Sequence, residues 1–219
     1  MEILKHLGLE AYRLCLLRGL DEHVLALGYS NLAGVDEAGR GCLAGPVVAA
    51  AVIMRPDHMI PGIDDSKKLS TANRDRLARS IRQTAQAYSV GTVSAAIIDH
   101  INILQATRRA MVQALDGLDH CPDCVIVDAV KLPPKEYSCL NLVRGDAVSY
   151  SVACASILAK VERDRLMIDL DSVYPEYGFS RNKGYGAAEH QAALIEYGPT
   201  PAHRLTFRSV IPREPEVAN

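Results

Sequence analysis

Gly34-Val35-Asp36-Glu37-Ala38-Gly39-Arg40-Gly41 places two adjacent carboxylates inside a glycine-rich run. The apolar residues Leu32 to Val35 lead into the acids and read as the first half of a strand. Neighbouring side chains on a strand leave opposite faces, so spacing alone does not bring Asp36 and Glu37 to one point, although twist or a bulge can. Gly39 and Gly41 let the backbone turn sharply and approach a ligand. Arg40 between them carries a fork of donors suited to phosphate. Just downstream, Gly45-Pro46 opens Val47-Val48-Ala49-Ala50-Ala51-Val52-Ile53, a continuous apolar run suited to a strand buried on both faces.

Outward from this pair of strands, the periodicity alternates. Residues 1–28 carry helical spacing, with Leu4, Leu7, Ala11 and Leu14 on one face. Ser70 can cap a helix over 71–87. Tyr88 to Ala95 reads as a strand and Ile101 to Leu118 as a helix, with Ile101, Leu104, Met111 and Leu115 near one stripe. Val125 to Asp128 is a short buried strand, and Leu140 to Val143 another. A long helix is expected from Ser149 to Leu170, with Cys154, Ile157, Leu158 and Val161 as its stripe and Lys160, Glu162, Arg163 and Asp164 largely off it. Ala187 to Tyr197 and a segment around His203 close a helical end. Strands first, then alternation, then helices give an α/β class: a mixed β-sheet flanked by helices, with a helical C-terminal part. The divisions expected are 1–30 as an N-terminal helical segment, 31–170 as the sheet domain and 171–219 as the C-terminal part.

The 219 residues are 48% hydrophobic and 23% charged, an ordinary globular balance. The formal net charge of −2 excludes a bulk electrostatic attraction to nucleic acid, so such a partner needs a local basic patch or metal ions. The charged N-terminus lacks a signal-peptide core, and Pro46 to Met54 is too short to span a bilayer, so a soluble cytoplasmic protein is expected. Its six cysteines are expected to be reduced thiols. Cys121-Pro122-Asp123-Cys124 has zinc-like spacing, but Cys139 and Cys154 do not form the second close pair a zinc ribbon needs.

Three strand ends carry acids: Asp36-Glu37, Asp128 and Asp146. Alone, Asp128 reads equally well as a turn residue and Asp146 as a helix cap. If the four converge, each pair at about 4 Å costs about 4 kcal/mol at an effective dielectric near 20. Divalent cations relieve that repulsion, and hard oxygen donors favour Mg²⁺ or Mn²⁺ over zinc.

The chain resembles bacterial ribonuclease HII. The resemblance runs from Gly34-Gly41 and Leu43 to Val52 through Asp65-Ser66-Lys67-Lys68-Leu69-Ser70, Ile98-Asp99 with Asn102-Ile103-Leu104, and Val127-Asp128. It continues with Arg144-Gly145-Asp146, Ala155 to Val161 with Arg163-Asp164, Tyr177-Gly178-Phe179, Lys183-Gly184-Tyr185 and His203-Arg204, covering residues 30–208 in family order. It implies a ribonuclease H-like sheet on which Asp36, Glu37, Asp128 and Asp146 share one two-metal site holding Mn²⁺ or Mg²⁺. It also implies recognition of a ribonucleotide 2′-hydroxyl by Gly39, Arg40 and Gly41, since only RNA offers that group. Tyr185 would stack on the sugar at an RNA–DNA junction. Lys67, Lys68, Lys183 and Arg204 would contact the substrate backbone or support the site. The implied substrates are RNA/DNA hybrids and duplex DNA containing ribonucleotides, cut on the 5′ side of the ribonucleotide to leave 5′-phosphate and 3′-hydroxyl ends. A monomer is expected, and Ile211 to Asn219 offers no assignable motif for a replication clamp.

The chain departs from the family pattern at Cys42 (usually Pro), Ala129 (Gly), Arg144 (Lys), Cys154 (Ala) and Gly186-Ala187, where Pro-Thr or Gly-Thr is usual. None of these removes an acid. Cys42 is an oxidation liability beside the glycine loop, and Gly186-Ala187 is expected to loosen the Tyr185 loop. His203 is expected either to contribute to the site or simply to pack, and Asp164 to be an ion-pair partner rather than a fifth ligand. The nearest rival, ribonuclease HIII, usually has Lys in place of Arg40 and carries an extra N-terminal domain, for which the roughly 30 residues before Leu32 leave little room. A silent hybrid-binding module gains nothing from clustered negative charge near phosphate.

Overall fold

The computed structural model describes residues 2–211, with side chains from residue 7 onward. Helix α1 (Glu2–Ala26) is followed by strands β1 (Leu32–Ala38) and β2 (Val47–Met54). Then come α2 (Thr71–Thr84), β3 (Ala85–Val93), α3 (Ala95–Ile101), α4 (Ile103–Asp116), β4 (Cys124–Asp128) and β5 (Ser138–Leu142). Helices α5 (Tyr150–Val173), α6 (Phe179–Asn182) and α7 (Ala188–Tyr197) complete the chain, with short 3₁₀ turns at Gly145–Ala147 and Pro175–Tyr177.

The strands form one mixed sheet in the order β3-β2-β1-β4-β5. β2 pairs antiparallel with β1 and β3, while β4 runs parallel to β1 and β5. Every residue of β2 is buried, as its unbroken apolar run requires. One face of the sheet packs Ala33, Val35, Ala49, Ala51 and Val127 against Ala106, Ala110, Met111 and Ala114 of α4. The other packs Ala50 and Val52 against Leu77 and Ile81 of α2 and Ala153, Ile157 and Leu158 of α5. Gly34 is what lets α5 approach so closely, since a β-carbon there would lie 2.1 Å from the Ser151 carbonyl carbon.

The expected sheet class holds, and several local expectations are corrected. The segment 71–95 divides earlier than its pattern suggested: α2 ends at Thr84, and Ala85-Gln86-Ala87 already belong to β3, drawn in by pairing with β2. The helix expected over 101–118 is α4, from Ile103 to Asp116, and a further helix not expected, α3, precedes it; the two meet at Asn102 (φ +66), whose side chain caps α4 by accepting from the Gln105 amide at 3.1 Å. Leu104 is accordingly exposed. β5 is an exposed edge strand, and Val143 lies beyond it. Leu7 points to solvent; the inner face of α1 is Leu14, Leu17, Arg18, Asp21 and Val24, and Leu4 lies outside the described side chains.

α5 is buried almost all round through Ala159, because it is held between the sheet and α1–α2, and Arg163, expected off its apolar stripe, is fully buried. Asp21 clasps the first turn of α5, accepting from the Ser149 hydroxyl at 2.7 Å, the Ser151 amide at 2.8 Å and the Ser151 hydroxyl at 2.6 Å. Among the described residues no helix is long and apolar enough to cross a membrane.

Candidate active site

Parallel pairing of β1 and β4 puts Val35 opposite Val127, so Asp36 and Asp128 come next in line at the same end of the sheet. Asp128 then accepts from the Gly145 amide at 3.1 Å. That bond draws in the 3₁₀ turn carrying Asp146, and Gly145 sits with little room to spare: a β-carbon there would lie 3.3 Å from Val152 and 3.5 Å from Asp128. The turn is entered through Arg144 in a left-handed conformation (φ +59), and Ala129, where the family usually has Gly, also takes positive φ (+52).

The Asp128 charge reaches each of Asp36, Glu37 and Asp146. Burial pushes Asp36 well above the ordinary carboxylate range, and the Glu37 and Asp128 charges push further, against a hydrogen bond from Ser156. Burial also raises Glu37, opposed by Arg40, which lies 3.2 Å from Glu37 Oε1. Asp146 is raised by burial and by Asp65 and Asp128, with Lys67 pulling the other way from 3.9 Å. The acids are not closed around a common point, however. Asp36 faces α5 while Glu37 turns to Arg40, and among the described residues no group of three His, Cys, Asp or Glu is arranged to hold a metal. The donor set nonetheless fits a hard divalent cation: carboxylate oxygens only, with Glu37 Oε2 buried and lacking any hydrogen-bond partner.

The glycine loop is held from beneath by two buried arginines. Arg204 donates to the carbonyls of Gly39 (2.7 Å), Arg40 (2.9 Å), Gly45 (3.0 Å) and Pro46 (3.2 Å). Arg163 donates to Pro46 (3.1 Å), Lys183 (2.9 Å) and Ala44 (3.2 Å). Arg204 is completely buried. Among the described residues nothing accepts from the Arg40 and Gly41 amides, which leaves those donors for a ligand.

Tyr185 is 47% exposed, with the Arg163 guanidinium 6.0 Å from its ring centroid. Beside it, Cys42 is fully buried and its thiol is pushed up by burial, which makes it a poor nucleophile rather than the oxidation liability expected. Lys67 reaches toward Asp146, whereas Lys68 pairs with Asp64 at 3.3 Å and the Lys183 ammonium is held by the Ser180 carbonyl. Asp164 pairs with Lys160 at 2.7 Å and Arg74 at 3.7 Å, as an ion-pair role requires. All six cysteines are free; Cys121 is exposed, while Cys124 is buried and pushed up to about 11.

Residue-type reasoning missed Arg163 and His190. Arg163 is legible only as part of the Ala155 to Asp164 match, with no role attached and expected off the apolar stripe; His190 gives no signal beyond its place on a short helix.

A mixed five-stranded sheet with helices on both faces and acids at one end of its central strands defines a ribonuclease H-like nuclease. The family model for ribonuclease HII matches residues 33–210, and the chain belongs to the ribonuclease HII family. Ribonuclease HII of Geobacter sulfurreducens is 52% identical over 183 residues, 84% of each chain. Among solved structures, the ribonuclease H2 from Pyrococcus horikoshii OT3 aligns with a TM-score of 0.71 at 28% identity, covering 83% of this chain and 95% of its own. Ribonuclease HII in a complex with PCNA from Archaeoglobus fulgidus aligns at 0.67 and 25% identity, covering 85% and 98%. The protein is therefore a ribonuclease H, a hydrolase of a divalent-metal-dependent family that degrades RNA in RNA/DNA hybrids.

Proposed function

We propose that this chain incises duplex DNA on the 5′ side of a single embedded ribonucleotide, as well as cutting longer RNA/DNA hybrids, and so acts in the cytoplasm in ribonucleotide removal from DNA. The observation that carries the reading is the glycine loop: its carbonyls are bound by Arg204 while the Arg40 and Gly41 amides are left without an acceptor beside the acid cluster. Donors on a pinned backbone suit a hydroxyl that DNA lacks.

Asp36, Glu37, Asp128 and Asp146 are the proposed ligands for Mg²⁺ or Mn²⁺. When bound, two such ions supply an activated water and neutralise charge on the leaving 3′-oxygen. Gly39, Arg40 and Gly41 select the sugar, and Glu37, paired with Arg40 at 3.2 Å, would be one of the residues to hold an ion. Tyr185 stacks at the junction, and the part that carries it, residues 171–211, forms the second wall of the substrate groove. Lys67, with its ammonium exposed near Asp146, is the proposed contact to the scissile strand; Lys68 and Lys183, held by Asp64 and Ser180, contribute less.

A duplex holding one ribonucleotide, incubated with Mg²⁺ or Mn²⁺, tests the proposal. Incision 5′ to the ribonucleotide, leaving a 5′-phosphate, is expected. No incision, or incision without metal, sinks it.

A further inference from the structure

Beneath Tyr185 lies a buried pair of histidines that the proposed chemistry does not use. Tyr177 and Phe179 pack around both imidazoles, with ring centroids 4.8 to 6.2 Å away. His190, on α7, has Nδ1 2.8 Å from the Tyr185 carbonyl oxygen and Nε2 3.0 Å from His203 Nε2. His203 has Nδ1 2.9 Å from the Thr200 amide and 2.9 Å from the Thr200 hydroxyl, which accepts from the Ala202 amide and is free to donate to the ring.

The two ends of this chain of bonds fix every proton in it. A backbone amide can only donate, so His203 Nδ1 is the acceptor and its proton sits on Nε2. A carbonyl can only accept, so His190 Nδ1 carries a proton and its Nε2 is bare. The middle bond therefore runs from His203 Nε2–H to His190 Nε2, and all three bonds point one way, from Thr200 to Tyr185. No other pair of neutral tautomers satisfies both ends. One added proton would set two N–H groups face to face at 3.0 Å.

We propose that His190 and His203 are positioning residues: a proton-ordered pair that fixes the Tyr185 backbone and, through it, the ring offered to the RNA–DNA junction. This rests on the junction role proposed for Tyr185. The pair acts at the start of α7, where Ala187 supplies no side-chain cap; the Ala187 amide lies 2.8 Å from the same Tyr185 carbonyl, and among the described residues His190 is the only side chain bound to the Tyr185 backbone.

Two measurements test it. In ¹⁵N-labelled protein near pH 7.5, long-range imidazole correlations should show His190 protonated on Nδ1 and His203 on Nε2; the reverse assignment for either ring overturns the proposal. The second compares incision at a single ribonucleotide with cleavage inside a continuous hybrid. The amide of Asn overlays the Nδ1 position and that of Gln the Nε2 position, so His190→Asn keeps the bond to Tyr185 and His190→Gln loses it.

His190→Gln should lower the junction-to-hybrid ratio about tenfold, the scale of one lost buried hydrogen bond. His190→Asn should restore most of that ratio, and His190→Gln should add nothing in a Tyr185→Ala background. If Tyr185→Ala alone leaves the ratio unchanged, the junction role of Tyr185 fails. If Tyr185→Ala lowers the ratio but both His190 variants match the wild type, or both lower the two activities in equal proportion, the positioning role fails while the junction role stands.

Discussion

A β-carbon on Gly39 would lie 1.9 Å from Nε of Arg163. The loop that carries the proposed sugar-recognition amides and the buried cation beneath it thus occupy the same space, and only glycine permits both. Gly39 also has φ +94, outside what a side chain tolerates. Gly39→Ala should therefore cost at least about 2 kcal/mol, combining backbone strain with displacement of a hydrogen-bonded buried arginine. Chemical denaturation reads the stability, and incision of a ribonucleotide-containing duplex should fall with it. A variant of native stability and activity would refute the packing described.

Asp36→Asn should stabilise the metal-free protein while abolishing incision. Burial and the neighbouring Glu37 charge hold Asp36 well above its ordinary range, so at neutral pH an ionised Asp36 opposes folding. Removing that charge should raise the thermal midpoint by about 2–4 °C for each kcal/mol relieved. Saturating Mg²⁺ or Mn²⁺ should stabilise the wild type, by about 2.7 kcal/mol at a hundredfold excess over Kd, and raise its midpoint accordingly, and should shift the variant much less. Equal metal shifts in both proteins would remove Asp36 from the metal site.

Ala187→Thr should stabilise α7. Ala187 stands at the N-cap with extended backbone (ψ 156) and offers no side-chain acceptor to the first turn. A hydroxyl there is worth about 1 kcal/mol. The same change should raise the preference for single ribonucleotides, because the capped turn adjoins Tyr185. Differential scanning calorimetry measures the first effect and paired substrates the second.

Acid should weaken the protein through the histidine pair. Burial holds His203 down to about 4, assisted by His190, and holds His190 below its ordinary value, partly offset by Glu189 on the same helix. Tyr177, the other titratable ring packed on both imidazoles, stays neutral throughout this range. In the unfolded chain both histidines titrate near 6.5. Between about 4 and 6.5 the unfolded state thus binds more protons, so this contribution to stability is complete above pH 6.5 and is lost as pH falls. The raised acids Asp21, Asp36, Glu37 and Asp146 slope the other way. The histidine effect is therefore read against His203→Gln: the urea midpoint at pH 7.5 minus that at pH 5 should have a lower signed value in the variant than in the wild type.

The sheet was legible because β1, β2 and β4 are apolar runs of strand length, each with its own acid or glycine punctuation. What resisted reading were places where tertiary contact overrides local pattern. Ala85 to Ala87 would extend α2 by propensity but pair with β2 instead. The inner face of α1 includes Arg18 and Asp21, which a search for apolar stripes passes over, because each is matched to partners far away in sequence. The acids were visible as strand-end residues. The turning of Glu37 toward Arg40 was not, since it depends on a balance of repulsion and pairing in space. Arg163 and Arg204 looked like surface or substrate-facing charge; their burial follows from a loop whose carbonyls have few strand partners and need donors.

Helix α5 touches each part of the site in turn. Its first turn, clasped by Asp21, follows directly on the Asp146 turn; Ser156 supports Asp36; Arg163 supports the glycine loop. At 1.5 Å per residue, the stretch from Ser149 to Arg163 is a rigid gauge about 21 Å long. The acids and the loop that would inspect the sugar are two marks on that one gauge. Their separation is set by a count of residues in a rod, so under the proposed reading a cut would fall at a constant offset from the sugar inspected. Inserting or deleting a single residue between those marks would rotate one by about 100° against the other and throw the instrument out of calibration.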